Sequence, residues 1–256
     1  MPTGLSDVAR ELLLIAFAAA TYAGVRAATE GSVAAATENG ERLLRLERAL
    51  GLAWEETLQS VLLTTDLLVT LGNWVYIWGH WPVIVTVAVV LYVYRHSSYT
   101  LLRNAMFISG AIGFLFFVLW PVAPPRLLDV GLVDTVLERS RSYRALQPPS
   151  LTNQYAAFPS LHFGWNLLVG IVLFQSFRHR GIRVFAVAMP IAMALAVVAT
   201  ANHFVIDVLA GTVVVLLGLL SAKALVAARD VTRPEPRGPA SVPRRSRARD
   251  RGTSRP

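Results

Sequence analysis

The sequence predicts an all-α fold: a multi-pass transmembrane helical bundle. Three observations carry that expectation. Of the 256 residues, 54% are hydrophobic and 16% are charged, with a mean hydropathy of +0.51. A soluble domain usually carries about 25% charged residues. Apolar runs recur along the chain, several of them close to the roughly 20 residues that cross a bilayer as a helix. Cysteine is absent, which removes a disulfide scaffold, a thiol nucleophile and a thiolate metal site.

The apolar runs lie at roughly 12–28, 60–79, 82–94, 104–120, 161–177, 184–202 and 204–228. The first reads as a retained helix rather than a signal peptide, because Asp7 interrupts its leader. Residues 41–59 alternate charge with Leu at helical spacing. Leu43, Leu44, Leu46, Leu50 and Leu52 are expected on one side, with Glu41, Arg45, Arg48 and Glu55 elsewhere. This pattern describes an amphipathic helix on the membrane surface, the alternative being a partner-binding helix. The third run is short, and Tyr92 and Tyr94 before Arg95 serve it as interfacial anchors. Pro190 sits inside the sixth run, where a packed membrane helix tolerates it.

Arginine sets the expected orientation. The loop holding Arg178, Arg180 and Arg183, the loop holding Arg95 and Arg103, and the C-terminal tail fall on one side if the last six runs alternate. That side is read as the cytoplasm. The Trp78–Pro82 hairpin, the 121–160 loop and the Asn202–His203 turn then share the outer side, as does the N-terminus if the first run spans. Residues 229–256 carry nine Arg against three acids, which is 6 of the 8 net positive charges. This tail is expected to be disordered and to meet anionic lipid. Three units follow: an N-terminal hydrophobic helix with the amphipathic helix (1–59), a membrane-embedded core (60–228) and the tail (229–256). The apolar runs exclude a soluble nucleic-acid binder.

Candidate chemistry gathers at the predicted outer side. His162 follows Pro159 and Ser160 where the long loop enters a helix, with Ser160 as N-cap. Such a start aims backbone N–H groups and a positive dipole end at an anion. His203 and Asp207 are four residues apart, so on a helix they share a face. An intramembrane Asp is costly unless paired or functional, and it can fix the tautomer of an adjacent imidazole. Arg126 follows two prolines and is a fixed bidentate donor for phosphate. Each residue also has a plain structural reading, as a cap, a buried pair or a boundary anchor.

Three stretches carry a family resemblance: Pro-Pro-Arg at 124–126, the run Asn-Gln-Tyr-Ala-Ala-Phe-Pro-Ser-Leu-His at 153–162, and Asn-His-Phe-Val-Ile-Asp-Val-Leu-Ala-Gly at 202–211. With them, residues 60–228 resemble the type-2 phosphatidic acid phosphatase superfamily of integral membrane phosphoesterases. Within it they are most similar to the branch that includes the inositol phosphorylceramide synthases. The resemblance implies a six-helix core with its active site at the outer face. His203, oriented by Asp207, would attack phosphorus and form a phosphohistidine. His162 would protonate the leaving oxygen, while Arg126 and the amides around Ser160 hold the phosphate. The substrate implied is a lipid phosphate or lipid-linked phosphoester, released to water or passed to a polar alcohol acceptor. Neither metal nor cofactor is implied.

The chain also departs from the family pattern. Leu119 stands where a Lys is usual, Leu161 where a Gly is usual, and Ala196 and Val197 where Ser-Arg is usual. Two cationic phosphate ligands are therefore missing, and Asn153, Asn202 or the Arg139/Arg141/Arg144 cluster are the candidates to compensate. His80, beside Trp78 and Trp81, reads as an interfacial residue or as lining the site entrance. Asp66 reads as a functional polar residue or as one reaching the boundary. The rival reading is a catalytically inactive membrane binding or transport protein on the same bundle.

Overall fold

The structure is a computed structural model that describes residues 4–29, 31–140 and 153–231. The C-terminal tail beyond residue 231, together with Arg141 and Arg144, lies outside the described residues. Among the described residues the chain forms ten α-helices. They are α1 (Leu5–Thr29), α2 (Val33–Leu50), α3 (Glu55–Leu62), α4 (Asp66–Trp78) and α5 (Trp81–Tyr94). They continue as α6 (His96–Leu119), α7 (Thr135–Arg139), α8 (Leu161–Ser176), α9 (Arg180–Ala199) and α10 (Val205–Val231). A 3₁₀ turn covers Pro125–Leu127.

The fold is the expected helical membrane bundle. Helices α1, α6, α9 and α10 are each long and apolar enough to cross a bilayer, while α5 and α8 are shorter apolar helices. The most extensive packing is that of α6 with α10, α8 with α9 and α8 with α10, and α1 and α5 also pack on α6. Pro190 deprives the Ala186 carbonyl of its helical donor. Gly170 of α8 approaches that carbonyl so closely that a Cβ would stand 2.3 Å from it. The missing side chain thus lets α8 and α9 meet backbone to backbone.

The path through residues 60–94 differs from the expected hairpin. Val69, near the start of α4, clusters with Leu62 and Ala199, the last residue of α9. Gly79, just beyond α4, instead abuts Met189 and Met193. Ten residues separate Ala199 from Met189, which is about 15 Å along a helix. Helix α4 therefore descends into the bundle. Helix α5 continues the descent from Trp81, which meets Trp165, to Arg95, which lies over Phe177. The segment around His80 sits inside the bundle instead of at its surface. Only a tertiary match to α8 and α9 decides this, because a broken crossing and a hairpin show the same hydropathy.

Helix α1 runs parallel to α6. Glu11 pairs with Arg103 and Tyr22 packs on Phe114, the same interval along both helices. The start of α1 therefore lies at the Arg95 end of α6, not with Arg126 at the other end as the alternating path expected. With α4 and α5 forming one broken crossing, α1 supplies a crossing of its own.

Helix α2 is amphipathic, but its buried stripe faces the protein. Ala36, Asn39, Gly40, Leu43, Leu44 and Glu47 recur at helical spacing and are buried, while Leu46 and Leu50 are exposed. The stripe packs on Val122, Ala123, Leu128 and Phe204. Asn39 donates to the Pro121 carbonyl at 2.9 Å, and the Ala123 N–H donates to the Ala36 carbonyl at 2.9 Å. Polar Asn39 and Glu47 thus belong to the inner face, which a count of Leu spacing could not reveal. Overpacking a close helix contact typically costs about 1–3 kcal/mol. Gly170→Ala is accordingly expected to lower the melting temperature in detergent, with α8 and α9 pushed apart at Ala186.

Candidate active site

The N-terminus of α10 explains how the site is held. Three successive backbone N–H groups there end on three carboxylates from different elements. Phe204 donates to Asp207 Oδ2 at 2.9 Å, Val205 to Glu55 Oε1 at 3.0 Å, and Ile206 to Glu47 Oε1 at 2.6 Å. All three carboxylates are buried. A helix start holds free donors that cannot be left unpaired away from water. His203 is the residue immediately before this clamped start.

His203 is 4% exposed, and its Nδ1 lies 2.8 Å from the Ala157 carbonyl and 3.3 Å from Asp207 Oδ2. A ring nitrogen that faces a carbonyl must carry the proton, so Nε2 keeps the lone pair. Burial lowers the His203 pKa to about 4, with Arg126 adding to the effect and the Ala157 hydrogen bond opposing it. The imidazole is therefore neutral, with a free nitrogen, at neutral pH. The predicted His203–Asp207 pair is present, but the Ala157 carbonyl makes the shorter contact. Asp207 spends its nearer oxygen on the backbone of Phe204.

His162 stands in the first turn of α8, with its ring 5.9 Å from that of His203. Tyr76 stacks on one side at 4.8 Å and His80 on the other at 4.1 Å. Ser160 caps the helix, its Oγ accepting from the Phe163 N–H at 3.4 Å. The Ser160 N–H donates to the Asp207 carbonyl at 3.0 Å and is thus committed. The donors this helix start offers an anion are the N–H groups of Leu161 and His162. Gly211 of α10 permits the approach, since a Cβ there would stand 2.4 Å from the Ser160 carbonyl.

Arg126 is held on two sides. Its Nε donates to Asn202 Oδ1 at 2.9 Å and its Nη1 to Asp134 Oδ2 at 3.0 Å. Asn202 is fixed in turn by Thr200, through its carbonyl and its hydroxyl. Asn153 has an amide nitrogen that is buried without a partner. Arg126, Asn153, His162, Asn202 and His203 all line one cavity of about 960 Å³. The fold thus gathers these residues from three stretches widely separated in sequence.

The remaining candidates behave differently. Arg139 pairs with Asp66 at 3.3 Å, and neither lines the cavity. Leu119 is 72% exposed on the bundle exterior, and Val197 is fully buried in the core. The two positions where the family has cations are therefore apolar in both sequence and setting. Of the two readings of His80, interfacial or lining the site entrance, the structure favours the second: it is 3% exposed and lines the same cavity as His162. Asn166 Nδ2 approaches its Nδ1 at 3.4 Å while also donating to the His162 carbonyl at 3.0 Å. The sequence held one signal for His80: a His beside a Gly at the break between two apolar helices. Glu47 and Glu55 gave none, since both sit in an ordinary charged helical pattern. Among the described residues no group of three or more His, Cys, Asp or Glu could hold a metal ion.

A histidine-lined cavity, polar at one end of an apolar bundle, belongs to a helical membrane protein. Residues 41–221 match the family model described as the PAP2 superfamily, and the chain belongs to that family. The match begins at 41 and so takes in the second half of α2 and all of α3, which lie before the 60–228 core expected from the sequence. The crystal structure of Aquifex aeolicus LpxE is similar, with a TM-score of 0.51 and 15% identity, over 66% of this chain and 92% of that one. That likeness is one of fold. No curated protein sequence matches the chain.

Burial raises the Glu47 pKa from 4.5 to about 9, with Glu55 adding to the effect and the Ile206 N–H opposing it. Its Oε2 receives no hydrogen bond, and a bound proton relieves that. The folded protein therefore keeps a proton that the unfolded chain releases above about 4.5, and stability from this group declines as pH rises toward about 9. Glu47→Gln keeps an oxygen for Ile206 without the charge, and is expected to flatten this decline in melting temperature. Glu47→Ala is expected to lower the melting temperature throughout the range.

Proposed function

We propose that this protein is a membrane phosphatase that hydrolyses a lipid phosphate, or lipid-linked phosphoester, through a phosphohistidine on His203. The observation that carries this reading is the neutral, clamped His203 with a free Nε2, facing His162 across the cavity that also holds Arg126. Membership of the PAP2 superfamily supports it.

The Nε2 lone pair of His203 attacks phosphorus, and the bond from phosphorus to the ester oxygen breaks. His162 gives its proton to that leaving oxygen. Water then attacks the phosphohistidine while His162 takes back a proton, and the P–N bond breaks to release phosphate. Arg126, the Asn153 amide and the N–H groups of Leu161 and His162 hold the non-bridging oxygens. Positioning and charge stabilisation are what phosphoryl transfer asks of a protein. The Asp134 and Asn202 contacts keep the Arg126 fork fixed before substrate arrives, so little reorganisation is needed. An alcohol in place of water gives transfer, and a phosphomonoester substrate then yields a new monoester. A phosphodiester substrate, which leaves one ester group on the phosphohistidine, yields a new diester, the outcome implied by the inositol phosphorylceramide synthase branch.

His80 completes the acid. Stacked on His162 and bonded to the same Asn166, it is a second imidazole that accepts a share of the proton drawn in by a phosphate dianion. It partly offsets the cations absent at 119 and 197. We further place the catalytic face outside the cytoplasm and the C-terminal tail in it, on the arginine distribution. The three-unit division at 59 and 228 moves at its first boundary, since α2 and α3 carry the clamp on α10.

Phosphate release from a panel of lipid phosphates by the detergent-purified protein tests the reading. His203→Ala and His162→Ala are each expected to lower kcat by about a thousandfold or more while melting temperatures stay near wild type. Unchanged release in either variant overturns the mechanism. His80→Phe keeps a ring in the stack and loses the nitrogens. It is expected to lower kcat by about ten- to a hundredfold and to shift the alkaline limb of the pH–rate profile to lower pH, with little change in KM.

A further inference from the structure

The catalytic residues line one end of the 960 Å³ cavity, and Glu11, Tyr99 and Arg103 line the other, with Val8 one turn nearer the start of α1. Between the ends the walls are apolar, with Ile15 and Ala18 from α1, Ala88 from α5, and Met106 and Phe114 from α6. Helix α1 lies outside the matched family region, so one wall comes from a segment that the family match does not cover. It is pinned at both ends. At one end Glu11 takes hydrogen bonds from Tyr99, at 2.8 Å, and from Arg103. At the other the Tyr22 hydroxyl accepts from the Asn153 N–H at 3.0 Å. Helix α1 packs closely on α6, as α5 does, while α1 and α5 are not among the closely packed pairs of the described residues. A lateral opening to the bilayer follows.

From Phe117, near the catalytic end, to Arg103 is fourteen residues of α6, or about 21 Å. That exceeds half of a hydrocarbon core about 30 Å thick. We propose that this compartment holds one long hydrocarbon chain of the lipid phosphate, and that the Glu11–Arg103–Tyr99 cluster sets the longest chain that fits. The proposal rests on the phosphatase reading and adds a length-selective chain site to it. In a bilayer the chain is already out of water, so entering the cavity gains little from the hydrophobic effect, and selection works through fit. A methylene beyond the limit presses on a buried ion pair whose side chains are 11% and 13% exposed. Separating that pair takes from Glu11 its nearer arginine, leaving it the exposed Arg10 at 3.6 Å and the Tyr99 hydroxyl, so the floor resists.

The test is phosphate release from n-alkyl monophosphates of increasing length, at constant surface fraction in mixed micelles, with His203→Ala as the blank. Release per substrate is expected to rise with length to a limit and then fall by about tenfold or more per further methylene. Ala88→Phe narrows the passage and is expected to move the limit to shorter chains, affecting the shortest members least. Leu13→Phe alters the exposed side of α1, where Leu13 is 71% exposed, and is expected to leave the limit in place. A flat length profile, or the same limit in Ala88→Phe as in wild type, overturns the chain site while leaving the phosphatase reading intact.

No His203-dependent release from any alkyl phosphate counts against the phosphatase reading instead. The chain site is then decided on wild-type protein with an alkyl phosphate carrying a diazirine at its chain end. Crosslinks near Glu11 and Arg103 support the site, and crosslinks confined to the outer surface of the bundle overturn it. The same measurement decides the matter if Ala88→Phe does not fold.

Discussion

The three carboxylates at the start of α10 are the interaction on which the rest depends. A helix beginning at the margin of a bilayer exposes backbone donors that neither lipid nor a distant solvent can satisfy. Asp207 meets one of them from within α10 itself, and Glu55 and Glu47 meet the next two from α3 and α2. The clamp therefore fastens two helices at the end of the bundle to the backbone that presents His203. A protonated Glu47 reduces the charge that would otherwise crowd this spot. Helix α2 is in effect a structural part of the site, though none of its side chains lines the cavity.

From that fixed start the other contacts follow by close approach. The Ser160 N–H bonds the Asp207 carbonyl, and Gly211 gives the room that brings α8 to α10. This sets the distance between His162 and His203. The Ala201 carbonyl receives the Arg126 N–H at 2.9 Å, so the Pro-Pro-Arg turn is tied to the same strip of chain. Backbone hydrogen bonds, more than side-chain ones, assemble the three motif stretches. Side chains then tune what has been assembled, as Asp134 does for Arg126 and Asn166 for the stacked histidines.

The loss of two cations finds a physical context in this arrangement. A phosphate dianion in a low-dielectric cavity needs compensating charge, and Arg126 shares its own with Asp134. In the proposed reaction the helix start at α8 would supply partial charge, and the pair of stacked imidazoles would take up a proton as the anion arrives. Such a site carries little fixed positive charge while empty. A cavity that is nearly neutral until occupied is also compatible with an apolar extension along α1, α5 and α6.

By itself the sequence determined the class of fold, the helices α8 to α10 nearly to their ends, α6 from Asn104 onward though not its first two turns, and the residues His162, His203 and Arg126 as candidates. It could do so because apolar length and the spacing of His to Asp are local properties that one strand of chain expresses alone. Tertiary structure decided what no local pattern encodes. It turned the segment around His80 inward, since hydropathy is the same for a hairpin and a broken crossing. It buried the stripe of α2 that carries Asn39 and Glu47, because the partner of that stripe is a loop some eighty residues away. It also set α1 parallel to α6, where Glu11 could reach Arg103 across a sequence gap that periodicity cannot bridge.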